Sequence, residues 1–274
     1  VDPIEKKPLF HVLPGTRSLS VAAAGCCFQC EFCQNWQISQ GPQEGRALET
    51  TSCSPEELLA MAELNRCASI SYTYTEPTVF FEFAYDTARL AKQRGIRNCF
   101  VSNGYMSSRA VQTIAPYLDA INVDLKAFRD ETYRRVMHAR LQPVLDCLVA
   151  LKEAGIWIEV TTLVVPDMND SSQELKDIAE FIVHKLGVGV PWHVTRFYGQ
   201  YKMSETPSTE LDTLQEACRI GQEAGLRYVY CGNVPGRADE NTYCPDCGEI
   251  VIERVGYTIG GIRLSAEGAC RHCG

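Results

Sequence analysis

Residues 25–36, GCCFQCEFCQNW, place three cysteines, Cys26, Cys30 and Cys33, in the pattern C-x3-C-x2-C. An iron–sulfur cubane is normally held by four cysteines, so three thiolates from one tight loop leave one iron open. A catalytic zinc site keeps an open position for its reactant in the same way. One alternative is a three-cysteine zinc site with a remote fourth ligand. The other is a ligand set with Cys27, because Cys27, Cys30 and Cys33 are spaced C-x2-C-x2-C.

The residues beside these cysteines suit a ligand-binding loop. A strand-like run over residues 18–24 comes directly before the loop, and Gly25 allows the backbone to turn sharply into it. Phe32 precedes the third cysteine, where an aromatic ring would cover a cluster and pack against a flat ligand.

Strand and helix patterns alternate along most of the chain. Apolar runs predict strands at 18–24, 68–74, 97–102, 119–125, 156–164, 191–196 and 226–231, and amphipathic stretches predict helices near 55–67, 78–94, 107–116, 142–154, 172–186 and 208–224. This alternation is typical of parallel strands joined by right-handed crossovers. Six or seven units favour an α/β fold with an open, partial (β/α)6-type barrel over a full barrel of eight.

Polar residues occupy the predicted carboxyl ends of several strands, where barrels of parallel strands gather their reactive groups. Glu76 follows the second strand, and Ser102 and Asn103 follow the third. In the fourth strand, INVDLK, the side chains of Asp124 and Lys126 share one face, which we expect to point into the lumen. Because unpaired buried charges are costly, a zwitterionic ligand would supply partners for this pair. The competing interpretations are a helix cap, an ordinary turn and a structural ion pair, respectively.

The segment PWHVTRFYGQYKM carries a further polar group around the end of the sixth strand. Arg196 is suited to recognising a carboxylate, and His193 is a candidate proton or hydrogen donor. The competing interpretation is a solvated strand end.

The carboxyl-terminal tail contains a second cysteine pattern. Cys244, Cys247, Cys270 and Cys273 form C-x2-C-x22-C-x2-C around a predicted hairpin. Four thiolates from two such turns favour a closed tetrahedral zinc site, with rubredoxin-like iron or an auxiliary cluster as alternatives. Because so short a tail cannot build a sufficient core alone, we predict a zinc-ribbon-like appendage. The pattern divides the chain into a barrel at 1–233 and a four-cysteine ribbon at 234–274.

Composition limits the classes of function. The 14 cysteines come without a signal peptide or an apolar stretch of spanning length, which favours a reducing cytoplasm and no membrane partner. The net charge of −8 makes a nucleic-acid partner unlikely, since such proteins usually display a basic face. The chain starts at Val1 and stops at Gly274, and we expect both ends to be incomplete.

The cysteine loop resembles the C-x3-C-x-aromatic-C signature of radical S-adenosylmethionine (SAM) enzymes. The resemblance implies a [4Fe–4S] cluster whose open iron binds SAM, and reductive cleavage of SAM to a 5'-deoxyadenosyl radical that abstracts hydrogen from a substrate. It also implies a low-potential electron donor such as flavodoxin or ferredoxin.

Several strand ends resemble the SAM contacts of glycyl-radical activases. Glu76 stands where the family has the acid of its GGE motif, although Tyr74 and Thr75 replace the glycines. Ser102-Asn103-Gly104 resembles the TNG turn, and Asp-x-Lys resembles the SAM-contacting strand. Thr161 or Thr162, of which we favour Thr162, is the counterpart of a ribose or carboxylate contact.

Over nearly its whole length the chain resembles the radical SAM protein of the AmmeMemoRadiSam system, which is often described as pyruvate formate-lyase activating enzyme-like. The segments VDPIEKKPLFHVLPG, AGCCFQCEFCQNWQISQ, VVPDMNDS, GNVPG and NTYCPDCG carry this resemblance. It implies a Memo-type partner or a protein substrate. The leading hypothesis is hydrogen abstraction from a protein, peptide or small molecule. An RNA-modifying radical SAM enzyme and a non-catalytic metal or redox scaffold are the alternatives.

Overall fold

The structure, a computed structural model, describes residues 1–234 and 240–274. Its main feature is an open, curled sheet of eight strands in sequential order. Seven of these strands are parallel, and the first pairs antiparallel with the second. The strands are β1 (Asp2–Pro3), β2 (Arg17–Val21), β3 (Ser69–Tyr72), β4 (Arg97–Ser102), β5 (Ala120–Asp124), β6 (Trp157–Val164), β7 (Trp192–Arg196) and β8 (Val229–Gly232).

Helical segments connect successive parallel strands. They are α1 (Trp36–Ser39), α2 (Pro55–Leu64), α3 (Phe81–Gln93), α4 (Ser108–Ile114), α5 (Asp130–Thr132), α6 (Leu141–Glu153), α7 (Ser172–Phe181) and α8 (Leu211–Glu223). From β2 to β8 they form six crossovers, so the predicted partial (β/α)6-type barrel is confirmed. The seven strand predictions each overlap an observed strand, whereas the short β1 was not predicted.

Local signals explain where the helices begin and end. Ser54 accepts a hydrogen bond from the Glu57 amide at 3.2 Å, and the Glu57 carboxylate accepts one from the Ser54 amide at 2.8 Å. This reciprocal cap satisfies two amides that the helix cannot bond internally, and Pro55 has no N–H to satisfy. Gly95 and Gly155 follow α3 and α6 with φ of +71° and +75°, a conformation that glycine adopts at little cost.

The main core lies between the sheet and the surrounding helices. Trp192, at the start of β7, is fully buried, and its Nε1 donates to the Thr162 hydroxyl at 3.0 Å. Gly221 on α8 packs directly against this indole ring: a Cβ built there would lie 2.8 Å from the ring atom Cε3. The absence of a side chain at residue 221 therefore sets how closely α8 approaches the sheet.

The segment that connects β1 to β2, residues 4–16, covers the amino end of the barrel. Ile4 and Leu9 pack against Cys99 and Ala120 in a small cluster of fully buried side chains. The carboxylate of Glu159 on β6 accepts hydrogen bonds from the backbone amides of Phe10 at 3.0 Å and His11 at 2.9 Å. A buried charge on the sheet thus holds this segment in place.

His11 continues this polar network towards the last strand of the barrel. Its Nε2 lies 2.6 Å from the hydroxyl of Tyr230, which lies 2.8 Å from the hydroxyl of Thr242. Burial lowers the pKa of His11 from its ordinary 6.5 to about 4; attraction from Glu159 opposes this shift, and repulsion from His193 and Arg254 adds to it. The network therefore holds His11 in its neutral form.

The four-cysteine tail forms a separate three-stranded antiparallel sheet. Its strands are β9 (Thr242–Tyr243), β10 (Ile250–Val255) and β11 (Thr258–Ile262), so the predicted hairpin is present as β10 and β11. Arg254 on β10 is fully buried, and its guanidinium donates to the Phe10 carbonyl at 2.6 Å and to the Thr242 hydroxyl at 2.6 Å. The tail thereby packs on residues 4–16. The boundary predicted at 233/234 lies next to residues 235–239, which are outside the described residues.

None of the helices in the described ranges is both long enough and apolar enough to cross a membrane.

The contact between Gly221 and Trp192 can be tested with one methyl group. We expect Gly221→Ala to lower the free energy of unfolding by about 1–2 kcal/mol, because overpacking costs more than the roughly 0.5–1 kcal/mol that alanine gains in a helix. Urea denaturation measures the change. Gly189→Ala is the control, since a Cβ there meets nothing within 4 Å. Equal stability of the two variants would contradict the close approach of α8.

The lowered pKa of His11 predicts a pH dependence of stability. Between pH 6.5 and about 4 the unfolded chain binds a proton at His11 that the folded chain does not, so stability falls as the pH falls. The loss is at most about 3 kcal/mol. Urea denaturation at pH 7 and pH 4.5 should show a smaller drop for His11→Gln than for the wild type. Because His11→Gln removes this imidazole and its proton, identical drops would contradict the assignment.

Candidate active site

A cavity of about 540 Å³ opens inside the barrel at the carboxyl ends of the strands. It brings together most of the residues that the sequence singled out, although they are distant along the chain. The cavity is lined by Cys26, Cys30, Phe32, Cys33, Glu76, Ser102, Asn103, Asp124, Lys126 and His193. The parallel sheet explains this convergence, because each of its strands delivers its carboxyl end to the same rim.

Backbone hydrogen bonds shape the cysteine loop. Gly25 takes a φ of +105°, and its amide donates to the Ile38 carbonyl at 2.8 Å, which closes the loop at its base. On the far side the amides of Gln29 and Glu31 donate to the carbonyls of Met137 and Val136 at 3.0 and 3.1 Å. The loop is therefore fixed at both ends before any ligand binds.

The thiols of this loop lie in different electrostatic surroundings. The pKa of Cys26 is lowered by a hydrogen bond from the Cys27 thiol and by the Phe28 amide, 3.4 Å from the sulfur. Burial raises the pKa of Cys30 to about 12. Cys33 lies 3.1 Å from the Ser39 hydroxyl. A buried thiol gains most from a positively charged metal centre that takes it as a thiolate, so this donor set fits an iron–sulfur cluster.

Glu76 is a fully enclosed carboxylate at the rim of β3. It accepts hydrogen bonds from the Ser102 hydroxyl at 2.9 and 3.1 Å, the Asn103 amide at 2.8 Å and the Thr78 hydroxyl at 2.6 Å. Burial raises the pKa of Glu76 and outweighs the hydrogen bonds, none of which comes from a cation in the described part of the chain. A cationic ligand group would complete the site, and the hydrogen bonds already hold the carboxylate in one orientation.

Tyr74, which stands where the GGE motif has a glycine, adopts a backbone conformation typical of glycine. Tyr74 takes a φ of +67°, a conformation that glycine reaches without strain and tyrosine does not. Its hydroxyl donates to the Asp2 carboxylate at 2.6 Å, and the Lys7 ammonium lies 4.3 Å from its ring centroid. The contacts of its side chain with Asp2 and Lys7 thus stabilise Tyr74 in a backbone conformation that glycine would adopt without strain.

Asp124 and Lys126 line the cavity as a pair. The Lys126 ammonium lies 2.8 Å from the Asp124 carboxylate and 5.9 Å from the ring centroid of Phe32. Burial disfavours the charge on Lys126, but attraction from Asp124 and other neighbouring groups outweighs it and raises the pKa. The pair presents one cation and one anion to the lumen, as the sequence indicated.

Two threonines of β6 point to opposite faces of the sheet. Thr161 lines the cavity, and its hydroxyl has no partner in the described residues. Thr162 is buried on the other face, where its hydroxyl donates to the Leu125 carbonyl at 3.0 Å and accepts from Trp192. The preference for Thr162 is therefore corrected by strand alternation, which puts Thr161 on the lumen side.

His193 and Arg196 do not lie together. His193 is the second residue of β7, so it lies towards the amino end of the strand and not at the carboxyl end, where we expected it. Its Nε2 lies 2.6 Å from the Glu159 carboxylate. Arg196 does end the strand, but its Nε donates to the Thr209 carbonyl at 2.8 Å and its guanidinium covers the Tyr198 ring at 5.2 Å. Arg196 is not among the residues that line the cavity.

Sequence reasoning missed two acidic residues of this region. Glu159 interrupts the apolar run WIEVTTLVV, and a charged residue inside such a strand is a signal that could have been used. Glu5 also lines the cavity, but its segment PIEKK is an ordinary charged stretch in the sequence. Only the path of residues 4–16 below the barrel brings it there.

The second cysteine group is compact. The sulfurs of Cys244, Cys247, Cys270 and Cys273 all lie within 4.8 Å of one another, with pairs at 3.6 and 3.8 Å. A tetrahedron with zinc–sulfur bonds of about 2.3 Å has edges of about 3.8 Å. Backbone N–H groups of Cys247 and Asp246 lower the pKa of Cys244 to about 7. The geometry and charge therefore fit a single tetrahedral metal ion.

Comparisons with known proteins identify the superfamily of the chain. Residues 21–182 match the radical SAM superfamily. An uncharacterized protein of Methanocaldococcus jannaschii is 44% identical over 275 residues, which cover 100% of this chain and 81% of the relative. A pyruvate formate-lyase-activating enzyme of Clostridium pasteurianum is 23% identical over 173 residues, which cover 62% of this chain and 70% of that enzyme.

A solved structure shares the fold. Streptococcus suis SuiB, in a crystal structure bound to S-adenosylmethionine, matches with a TM-score of 0.63 at 13% identity, covering 84% of this chain and 54% of that one. The superfamily match includes the cysteine loop and the strand ends of Glu76 and Asp124. The chain belongs to the radical SAM superfamily and is a homologue of pyruvate formate-lyase-activating enzymes.

Proposed function

We propose that this protein is a radical SAM enzyme that cleaves S-adenosylmethionine reductively and abstracts hydrogen from a protein, peptide or small-molecule substrate. One observation carries the proposal: a single cavity is lined both by the three cysteines of the C-x3-C-x2-C loop and by Glu76, Asp124 and Lys126. A non-catalytic metal scaffold would need the cysteines but not the charged groups around them.

Cys26, Cys30 and Cys33 would hold a [4Fe–4S] cluster, which when bound supplies the electron for cleavage of the SAM sulfonium. The chain's own residues supply fixed ligands and a sheltered cavity. The Phe28 amide and the Ser39 hydroxyl contact the sulfurs of Cys26 and Cys33. Such contacts tune the reduction potential of a cluster.

Glu76 would bind the ammonium group of SAM, and Lys126 its carboxylate. The Glu76 carboxylate is buried, and among the described residues its hydrogen-bond donors are neutral, so a cation gains a charge-assisted hydrogen bond there. Asp124 keeps Lys126 charged and in place. Phe32, Ser102 and Asn103 would complete this end of the cavity, whereas Thr162 is buried on the other face of the sheet and would not contact SAM.

We further propose a protein of the AmmeMemoRadiSam type with activase-like chemistry, a flavodoxin or ferredoxin as electron donor, and a Memo-type partner or protein substrate. The sequence segments that resemble that family support this proposal, as does the homology to activating enzymes. All 14 cysteines belong to the described residues and none forms a disulfide, which fits the reducing cytoplasm. The net charge of −8 favours these partners over RNA.

The four-cysteine tail would hold zinc as a structural ion. Residues 234–274 are the proposed second domain. Its sheet of three short strands has few buried apolar side chains, so it needs a bound metal ion to stabilise it. Rubredoxin-like iron and an auxiliary cluster remain the alternatives.

The catalytic proposal predicts a defined product. Protein reconstituted anaerobically with iron and sulfide should convert SAM to 5'-deoxyadenosine when dithionite is added, and Cys30→Ala should lower the rate at least about 100-fold because one ligand is lost. Quantified 5'-deoxyadenosine is the measurement. Cys27→Ala, one residue from a ligand in the same loop, is the matched control and should keep most of the activity.

Two outcomes would contradict these assignments. Loss of product in Cys27→Ala together with retention in Cys26→Ala would make Cys27 the ligand. No product from wild-type protein with a verified full cluster would reject SAM cleavage as the function.

The zinc proposal predicts about one zinc ion per chain in the purified protein. Elemental analysis should show its loss in Cys247→Ser and Cys273→Ser, with a lower melting temperature, because structural zinc adds roughly 10–16 kcal/mol of binding free energy to folding. Cys53→Ser, outside both cysteine groups, should keep the zinc. Iron in place of zinc in protein isolated without reconstitution would reject this assignment.

A further inference from the structure

The cavity is also lined by a second group of residues, which are not among the proposed SAM contacts and which we call its second end. In the sheet register Thr161 of β6 pairs with Asp124 on one side and with His193 on the other. Glu5 from residues 4–16, and Glu240 and Tyr257 from the tail, line the same cavity. Because hydrogen abstraction needs the substrate beside SAM, this neighbouring space is where a substrate would lie.

Two buried oxygens at this end lack hydrogen-bond partners in the described residues. They are Oε2 of Glu5 and the hydroxyl oxygen of Thr161, whose side chains belong to residues only 1% and 7% exposed. The other Glu5 oxygen accepts from the Gly15 amide at 2.7 Å, so the carboxylate is held in place. A buried polar atom without a partner costs about 1–3 kcal/mol. Two such costs among the residues that line one cavity indicate groups that are available to a ligand.

Two cations lie near Glu5, but neither donates a hydrogen bond to its free oxygen. Lys6 lines the cavity, and its ammonium pairs with Asp2 at 2.9 Å. Arg254 is attracted to Glu5, yet its guanidinium hydrogen bonds go to the carbonyls of Phe10 and Glu240 and to the Thr242 hydroxyl, and its Nε has no partner in the described residues. Oε2 of Glu5 therefore keeps its capacity to accept a hydrogen bond from a ligand.

His193 adds a fixed imidazole to the same wall. Its Nε2 contacts Glu159 at 2.6 Å, while its ring stacks on Tyr230 at 5.1 Å and meets the edge of Phe10 at 4.7 Å. These three contacts fix the orientation of the ring, so it contributes to the shape of the subsite.

We propose that this end of the cavity is a substrate subsite for a cationic nitrogen group, an ammonium, which pairs with Glu5 and donates to the Thr161 hydroxyl. The proposal rests on the proposed function, because it places the substrate beside SAM. An ammonium supplies a positive charge for the Glu5 carboxylate and the N–H donors that the two unpartnered oxygens lack. A neutral hydroxyl group of similar size supplies a donor but no charge.

A matched pair of probes tests the preference for charge. Butylammonium and 1-butanol are titrated into the cluster-containing protein with SAM and without reductant, and binding is followed by ligand-observed NMR. We expect butylammonium to bind at least about 10-fold more tightly than 1-butanol, in line with a charge-assisted hydrogen bond. In Glu5→Gln this preference should disappear, and in Thr161→Val butylammonium should bind several-fold more weakly. Glu82→Gln, an exposed residue of α3, controls for the loss of one negative charge and should keep the preference.

The melting temperature of the ligand-free protein separates a binding role from a structural one. Glu5→Gln keeps the oxygen that accepts from Gly15 and replaces only the oxygen that has no hydrogen-bond partner in the described residues, so a subsite residue should give an unchanged or higher melting temperature. A lower melting temperature with the butylammonium preference intact would assign Glu5 a structural role and overturn the proposal. Equal binding of the two probes to the wild type would also overturn it.

The same preparations report on the proposed function separately. Production of 5'-deoxyadenosine without any preference for butylammonium rejects the subsite alone. A preference that depends on Glu5, in protein that produces no 5'-deoxyadenosine, supports the subsite as a binding site and rejects only SAM cleavage.

Discussion

The parallel pairing of β2 to β8 is the constraint on which the rest of this structure depends. Parallel strands deliver all their carboxyl ends to one rim, and side chains alternate between the lumen and the helices. Glu76, Asp124 and Thr161 reach a common cavity for this reason. A shift of one residue in any strand would turn its lumen-facing set towards the helices, as the contrast between Thr161 and Thr162 shows.

The buried carboxylates in and around the sheet are satisfied to different degrees. The Glu159 carboxylate accepts hydrogen bonds from two backbone amides and contacts His193, and its pKa is lowered although burial acts in the opposite direction. Glu76 has several donors but no cation among the described residues, and burial raises its pKa. Glu5 leaves one oxygen without a partner in the described part of the chain. Glu159, whose partners all belong to the protein, stabilises the fold. Glu76 and Glu5 are less fully satisfied and are therefore suited to binding a ligand.

The amino-terminal segment and the tail turn an open barrel into an enclosed site. Residues 4–16 cover the amino end, and Arg254 of the tail donates to the Phe10 carbonyl of that segment. Tyr257 and Glu240 then reach the cavity wall. A metal ion in the four-cysteine group would therefore support one wall of the substrate space as well as the tail itself.

The sequence by itself determined the order of strands and helices, the cysteine loop and the four-cysteine group, because these follow from short-range patterns: apolar periodicity, glycines after helices and the spacing of thiols. It also indicated Glu76, Asp124 and Lys126, since strand ends of a parallel barrel meet. Only the tertiary structure decided that Thr161 and not Thr162 faces the lumen, that His193 lies at the amino end of β7 and that Arg196 lies outside the cavity. It alone brought Glu5 below the barrel. The physical reason is that strand register and the path of a loop depend on packing between residues far apart in the chain, which no local pattern encodes.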